Sequence, residues 1–226
     1  NEAHRLSPTL ERILPFLRAE EDSFEILVVD DGSSDDTAGV ARSFDAPEVK
    51  VVRHMVNRGK GAALRTGVLA SQGERVLLCD ADLSVPIEEL DRLSPHLAAA
   101  DLVMGSRAAP GARVTRRQAL YRSLMGKTFN RIIRTLGVRG FRDTQCGFKL
   151  LTGDVARELF SRLMIERFAY DVELVWLALR QGHRVVEVGV TWGHMDFSRV
   201  NPVSDSLNML WDVIRFRFHH YRNGTG

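Results

Sequence analysis

At 226 residues with 44% hydrophobic content, the chain is long and apolar enough to bury a core, which excludes a disordered polypeptide. Its formal charge of +2 hides an asymmetry, because an acidic first half is averaged with residues 102–142, which hold no Asp or Glu. Cys79 and Cys146 lack the spacing of a disulfide framework or a zinc site, so a reducing, cytosolic setting is expected; no charged-then-apolar leader opens the chain, and no run approaches the roughly 18 apolar residues of a membrane span.

In chain order, apolar residues at helical spacing predict helices over 9–17, 36–44 and 61–71. Between them, short β-branched runs predict strands over 25–30, 49–53 and 75–79, the first ending in an Asp-Asp-Gly-Ser-Ser turn. Alternation of this kind predicts an α/β fold with a mostly parallel, Rossmann-like sheet and helices on both faces. Pro86 suits the first turn of a helix and Glu88 and Glu89 its positive end, and a strand is expected at 102–105. The second half departs from this rhythm. It holds a basic helical stretch over 116–136, a Gly-punctuated segment near Gly147, a helix over 171–181, one last strand over 184–192 and a terminal helix from 204 to 221. Without a repeat or a low-complexity linker, residues 1–226 are expected to form one domain.

Ligands of parallel α/β sheets sit at the carboxyl ends of strands, where this chain carries Asp30-Asp31 and Asp80-Ala81-Asp82. Alternate carboxylates hold a hard divalent cation, Mg²⁺ or Mn²⁺ rather than zinc, which bridges diphosphate oxygens. Taken singly, each cluster also suits a solvated Asx turn or a helix cap. At the ends of two strands of one sheet, they favour a nucleotide-diphosphate site. Asn57-Arg58-Gly59-Lys60-Gly61 lies between a strand and a helix, so its glycines permit close backbone approach while Arg58 and Lys60 meet phosphate or base. The spacing is neither a Walker loop nor a dinucleotide fingerprint.

In this order, Val-Val-Asp-Asp-Gly-Ser-Ser-Asp from Val28, Asn-Arg-Gly-Lys-Gly from Asn57, Asp-Ala-Asp from Asp80 and Gly-Ser-Arg from Gly105 resemble glycosyltransferase family 2. The runs Arg-Asp-Thr-Gln-Cys-Gly-Phe-Lys from Arg142, Phe-Ala-Tyr-Asp-Val-Glu-Leu from Phe168 and Ser-Leu-Asn-Met from Ser206 resemble its dolichyl-phosphate β-glucosyltransferases and their prokaryotic polyprenyl-phosphate relatives. The resemblance implies a GT-A fold and inverting transfer of a hexose from a nucleotide sugar to polyprenyl or dolichyl phosphate. UDP-glucose is the favoured donor, with GDP-mannose or another UDP-sugar as alternatives. By the same resemblance Asp30, Asp31, Arg58, Lys60, Gly61, Asp80 and Ala81 bind the donor, and Asp80 and Asp82 hold the metal. Asp82, Arg107 and Asp171 are the candidate catalytic residues, Asp171 lying where hydroxyl-using relatives keep a base, although it suits a helix N-cap equally well. Ser84 replaces the glutamine common in dolichyl-phosphate mannose synthases, which weakens a three-ligand shell and disfavours mannose. The family's usual first strand, ending in a Pro-x-Tyr-Asn-Glu-like motif, is expected upstream of Asn1.

Residues 1–107 are then the nucleotide-sugar half and 108–226 the acceptor half, with interfacial helices. A phosphate acceptor gives a use to Arg107, Arg122, Lys127, Arg131 and Arg199. The apolar stripe of residues 120–136 and the Trp211-bearing terminal helix suit an anionic membrane surface, reached peripherally from the cytoplasmic face, or alternatively the core or a homo-oligomer interface. Nucleic acid is not an expected partner, since only Tyr121 and Phe129 interleave with the basic residues. Two other readings stay open: transfer to a glycan or small-molecule hydroxyl with Asp171 as base, and an inactive nucleotide-sugar- or membrane-binding module.

Overall fold

The computed structural model describes residues 1–116, 138, 140–193 and 202–222. The chain opens with helix α1 (Ala3–Glu20), which runs through Pro8 and Pro15 although each removes one helical hydrogen bond. Then come β1 (Ile26–Asp30), α2 (Thr37–Ser43), β2 (Val49–Arg53), α3 (Lys60–Ala70) and β3 (Arg75–Leu78). Pro86 precedes a 3₁₀ turn (Ile87–Glu89) that leads into α4 (Leu90–Leu93), and β4 (Leu102–Ser106) and β5 (Arg113–Arg116) follow. The later elements are β6 (Lys149–Thr152), α5 (Gly153–Arg162), α6 (Tyr170–Arg180), β7 (Val185–Gly189), β8 (Thr191–Gly193) and α7 (Pro202–Arg222). The basic stretch over 116–136 lies almost wholly outside the described residues.

Strands β1–β2, β4–β7 and β5–β8 pair in parallel, whereas β6 pairs antiparallel with both β3 and β4 in the order β3-β6-β4-β7. This mixed sheet refines the parallel expectation, since β6 enters between two strands that sequence order alone would make neighbours. Alternate side chains then feed two cores, as a period of two requires. Val76, Leu78, Leu102, Met104 and Leu151 pack with α5, α6 and α7. Leu77, Val103, Phe148 and Leu150 pack on the other face with Ile13 of α1 and Leu90 and Leu93 of α4.

The two carboxylate-bearing strands were expected in one sheet, yet β1 and β3 share no ladder among the described residues. Helix α1 joins them instead. Leu6 and Leu10 pack against Ile26 and Val28 of β1, Ile13 packs in the core that holds Leu77 of β3, and Thr9 Oγ1 donates to the Ala81 carbonyl at 2.7 Å. The predicted last strand is divided at Val190, fully buried, because the bare Cα of Gly189 lets the Pro110 carbonyl close in; a Cβ there would lie 2.3 Å from that oxygen.

Candidate active site

Beyond β3 the chain reverses through Asp80-Ala81-Asp82. Leu83 N donates to the Asp80 carbonyl at 3.1 Å, and the Ser84 amide and hydroxyl both donate to Asp82 Oδ1, at 2.9 and 2.8 Å. Leu83 adopts φ of +47°, a left-handed conformation that costs a side-chain-bearing residue about 1–2 kcal/mol. The surrounding bonds hold it there: Gly193 N donates to the Ser84 carbonyl at 2.9 Å, and Thr9 grips Ala81. Gly147 completes the seat, since a Cβ on it would stand 2.1 Å from Asp80 Oδ2. The strand-end turn therefore presents its carboxylates by construction, with strain offset from three directions.

The Asn57–Gly61 loop meets this turn. Its shape is set by Asp31, whose carboxylate accepts from the Arg58 and Gly59 amides at 3.0 and 2.7 Å and is bonded to His54 Nδ1 at 2.6 Å. Burial alone would raise the Asp31 carboxyl, but these bonds outweigh it and hold it below its ordinary range. Lys60, opening α3, places Nζ 2.6 Å from Asp80 Oδ1. Its ammonium is raised above its ordinary value because Asp80, Asp171 and Asp82 together outweigh the penalty of burial. Asp30, 2% exposed, accepts from the Ser33 amide at 2.9 Å and pairs with Arg53 at 3.0 Å. Ala81 and Gly61 flank the same meeting point, Gly61 by leaving room for the Ile165 carbonyl, 2.4 Å from where a Cβ would be.

Three residues beneath this floor were not singled out from sequence. Lys149, fully buried in β6, bonds Asp171 and donates to the Cys146 carbonyl at 2.6 Å. Asp171 is 5% exposed, and burial raises its carboxyl even against Lys149 and Lys60. Asp143 takes Arg107 in a two-pronged pair, Nε to Oδ2 at 2.6 Å and Nη2 to Oδ1 at 2.8 Å, while the Arg107 guanidinium lies 5.6 Å from the Trp192 ring centre. The third, Glu173, is described below. The sequence signal available was that all three lie in the runs from Arg142 and Phe168 that carry the family resemblance, which marks those segments without naming the partners.

Burial would raise the Asp143 carboxyl, but Arg107 outweighs it and keeps it below the ordinary value of 3.8. A depressed carboxylate stabilises the fold above its unfolded value and loses that contribution as pH falls through its folded one. Stability is thus expected to be level in this respect above about pH 4 and to fall below it. Asp143→Asn removes the contribution at neutral pH, so the gap between thermal melts of variant and parent should be constant from pH 7 to about pH 4 and narrow as pH falls further. A gap independent of pH would contradict the pair's role.

The carboxylates of Asp80, Asp82, Asp143 and Asp171 face Lys60, Lys149 and Arg107, leaving one negative charge in excess. Among the described residues no three His, Cys, Asp or Glu side chains gather into a metal-binding group, so the donors available at the strand end are Asp80 and Asp82. That pair fits Mg²⁺ or Mn²⁺, which take one or two carboxylates and leave the other positions to phosphate and water. The structure thus brings together Asp30, Asp31, Arg58, Lys60, Gly61, Asp80, Ala81, Asp82, Arg107 and Asp171 around one strand-end region. Arg122, Lys127, Arg131 and Arg199 lie outside the described residues.

Residues 1–160 match the family model described as Glycosyl transferase family 2. The Dolichyl-phosphate beta-glucosyltransferase of Dictyostelium discoideum is 34% identical, over 97% of this chain and 72% of its own. That of Homo sapiens is also 34% identical, over 97% of this chain and 73% of its own. Among solved structures, the glucosyl-3-phosphoglycerate synthase from Mycobacterium tuberculosis in complex with Mn²⁺, UDP-glucose and phosphoglyceric acid is similar with a TM-score of 0.68. The match has 20% identity and covers 95% of this chain and 74% of that one. The fold is the GT-A fold.

Proposed function

The chain belongs to glycosyl transferase family 2, and on that premise we propose that it moves glucose from UDP-glucose to a polyprenyl or dolichyl phosphate, with inversion at the anomeric carbon. The observation that carries the reading is the Lys60–Asp80 contact beside Asp82, where a phosphate-loop cation and two strand-end carboxylates converge. The names of the relatives support the glucose and the lipid phosphate, and the complex of the solved neighbour supports UDP-glucose with a divalent metal.

In this proposal Asp80 and Asp82 hold Mg²⁺ or Mn²⁺, and the ion, when bound, offsets charge on the departing diphosphate. Lys60 adds a second positive charge there, while Asp30, Asp31, Arg58 and Gly61 shape the nucleotide side. An oxygen of the acceptor phosphate attacks C1 as the bond from C1 to the diphosphate breaks. That oxygen is already ionised, so no strong base is needed. Asp171, closed off and held by Lys149, anchors the floor of the site. Arg107, with Arg122, Lys127, Arg131 and Arg199, holds the acceptor phosphate against the like charge of the donor. With Arg107 at the boundary turned to the acceptor, residues 1–107 mainly serve the donor and 108–226 mainly the acceptor.

Contact with an anionic membrane surface, from its cytoplasmic side, belongs to the same reading. Trp211 and Phe218 are each 66% exposed on one face of α7 with Arg215 between them, the arrangement of an interfacial helix. No helix among the described residues is long and apolar enough to cross a membrane. The test is incubation with a panel of labelled nucleotide sugars, short-chain polyprenyl phosphate and Mn²⁺, followed by organic extraction. Label is expected in the lipid phase with UDP-glucose as the best donor. Label confined to a water-soluble product would instead support transfer to a hydroxyl, and no product with any donor would overturn the reading.

A further inference from the structure

Glu173 lies one turn into α6, fully buried, and its carboxylate ties together two separate parts of the chain, the 164–165 segment and α7. The Met164 amide donates to it at 3.0 Å, the Ile165 amide at 2.8 Å, and His220 Nε2 of α7 bonds it at 2.9 Å. His220 is 5% exposed, with its ring 5.3 Å from that of Trp176, and Met209, Val213 and Phe216 of the same helix are buried in the core beside it. The 164–166 segment continues the connection to the phosphate loop. The Glu166 carbonyl accepts from the Ala62 amide at 3.0 Å and would stand 2.5 Å from a Cβ on Gly59, while its side chain pairs with Arg58. Gly59 is held at φ of +113°, and the next residue is Lys60, on Asp80.

We propose that Glu173 is a positioning residue for the nucleotide-binding loop, and that His220 ties it to the terminal helix, so that the docking of α7 sets the affinity for nucleotide. The physical ground is that the two amides at 164–165 have no freedom to move while Glu173 holds both, and the loop at 59–62 is packed against the carbonyls that directly follow them. A buried carboxylate that loses one of its charge-assisted donors must reorient or take up a substitute. Any such movement is transmitted to the 59–62 loop, because the Glu166 carbonyl holds the Ala62 amide and the carbonyls of Glu166 and Ile165 lie so close to Gly59 and Gly61 that a Cβ on either would clash. Neither residue touches the cation or the reacting atoms in this account.

The inference rests on the donor reading above, and the experiment separates the two. UDP binding with Mn²⁺ is measured by calorimetry well below each variant's melting temperature, for the parent chain, His220→Leu and His220→Gln. His220→Leu keeps bulk but loses the donor, and it is expected to weaken UDP by at least about 5-fold, the low end of coupling between linked sites. His220→Gln, whose amide reaches where Nε2 stood, should restore most of the loss. Hydrogen exchange at the 59–63 amides should quicken in the first variant and recover in the second. If His220→Leu does not fold, Glu173→Gln, which keeps an acceptor for the two amides but gives up the charge, is expected to weaken UDP in the same direction. A folded His220→Leu or Glu173→Gln that binds UDP as tightly as the parent overturns the inference alone. A parent chain that binds no UDP overturns the donor reading and this inference with it.

Discussion

Asp82→Asn is expected to lower sugar transfer at least about 100-fold while leaving the melting temperature within a few degrees of the parent. The magnitude follows from removing one of two carboxylates offered to the cation, where loss of even an outer hydrogen-bonding partner of a metal ligand costs about 10- to 100-fold. The small effect on folding follows from Asn keeping the oxygen that accepts from the Ser84 amide and hydroxyl. Initial rates with UDP-glucose, together with a thermal melt, check both halves. A large fall in melting temperature with activity retained would assign Asp82 to the turn alone.

The largest expected loss of stability comes from Lys149→Met. The change leaves the Asp171 carboxylate in the interior without its cation and takes a donor from the Cys146 carbonyl. Removing one member of a buried pair costs about 3–5 kcal/mol, much of the roughly 5–15 kcal/mol that holds a domain folded. Replacing both, as Lys149→Met with Asp171→Leu, should recover most of that, because two apolar side chains leave no charge behind. The sign with pH is also fixed. Burial already lifts the Asp171 carboxyl, and without Lys149 it rises further, so the single variant gains stability as pH falls and the carboxyl takes up a proton. Denaturant midpoints at pH 5 and pH 8 measure this, and a single variant as stable as the parent at pH 8 would contradict the pairing.

These two residues differ in how far the sequence announces them. Asp82 follows the short apolar run of β3 and precedes Pro86, and is legible as a strand-end acid from local pattern alone. Lys149 opens a strand of four residues, too short for a period of two to declare itself, and a lysine ordinarily reads as exposed. For that reason β6 was not anticipated, and the antiparallel pairing it brings was not either. Strands β1, β3 and β4 were visible as apolar runs bounded by turns, and α6 and α7 as helical stretches, because those signals are local. The pairs Arg107–Asp143 and Glu173–His220 span 36 and 47 residues of chain, and no local pattern links their members. Asp171 is the instructive case: a helix start was expected there and α6 does begin at Tyr170, but Ala169 is the N-cap, and the Asp171 carboxylate, instead of capping the helix, turns to Lys149 in a closed environment that came only from the fold.

In the proposed reaction the strand-end carboxylates of Asp80 and Asp82 bind a nucleotide sugar through a divalent cation. The most direct test is calorimetric titration of UDP-glucose into the parent chain and Asp82→Asn, each with Mn²⁺ and with a chelator. The predicted result is binding to the parent that weakens at least about 10-fold when Mn²⁺ is removed, and binding to Asp82→Asn that is weak and indifferent to the metal. Equal affinity of the parent with and without metal would contradict it.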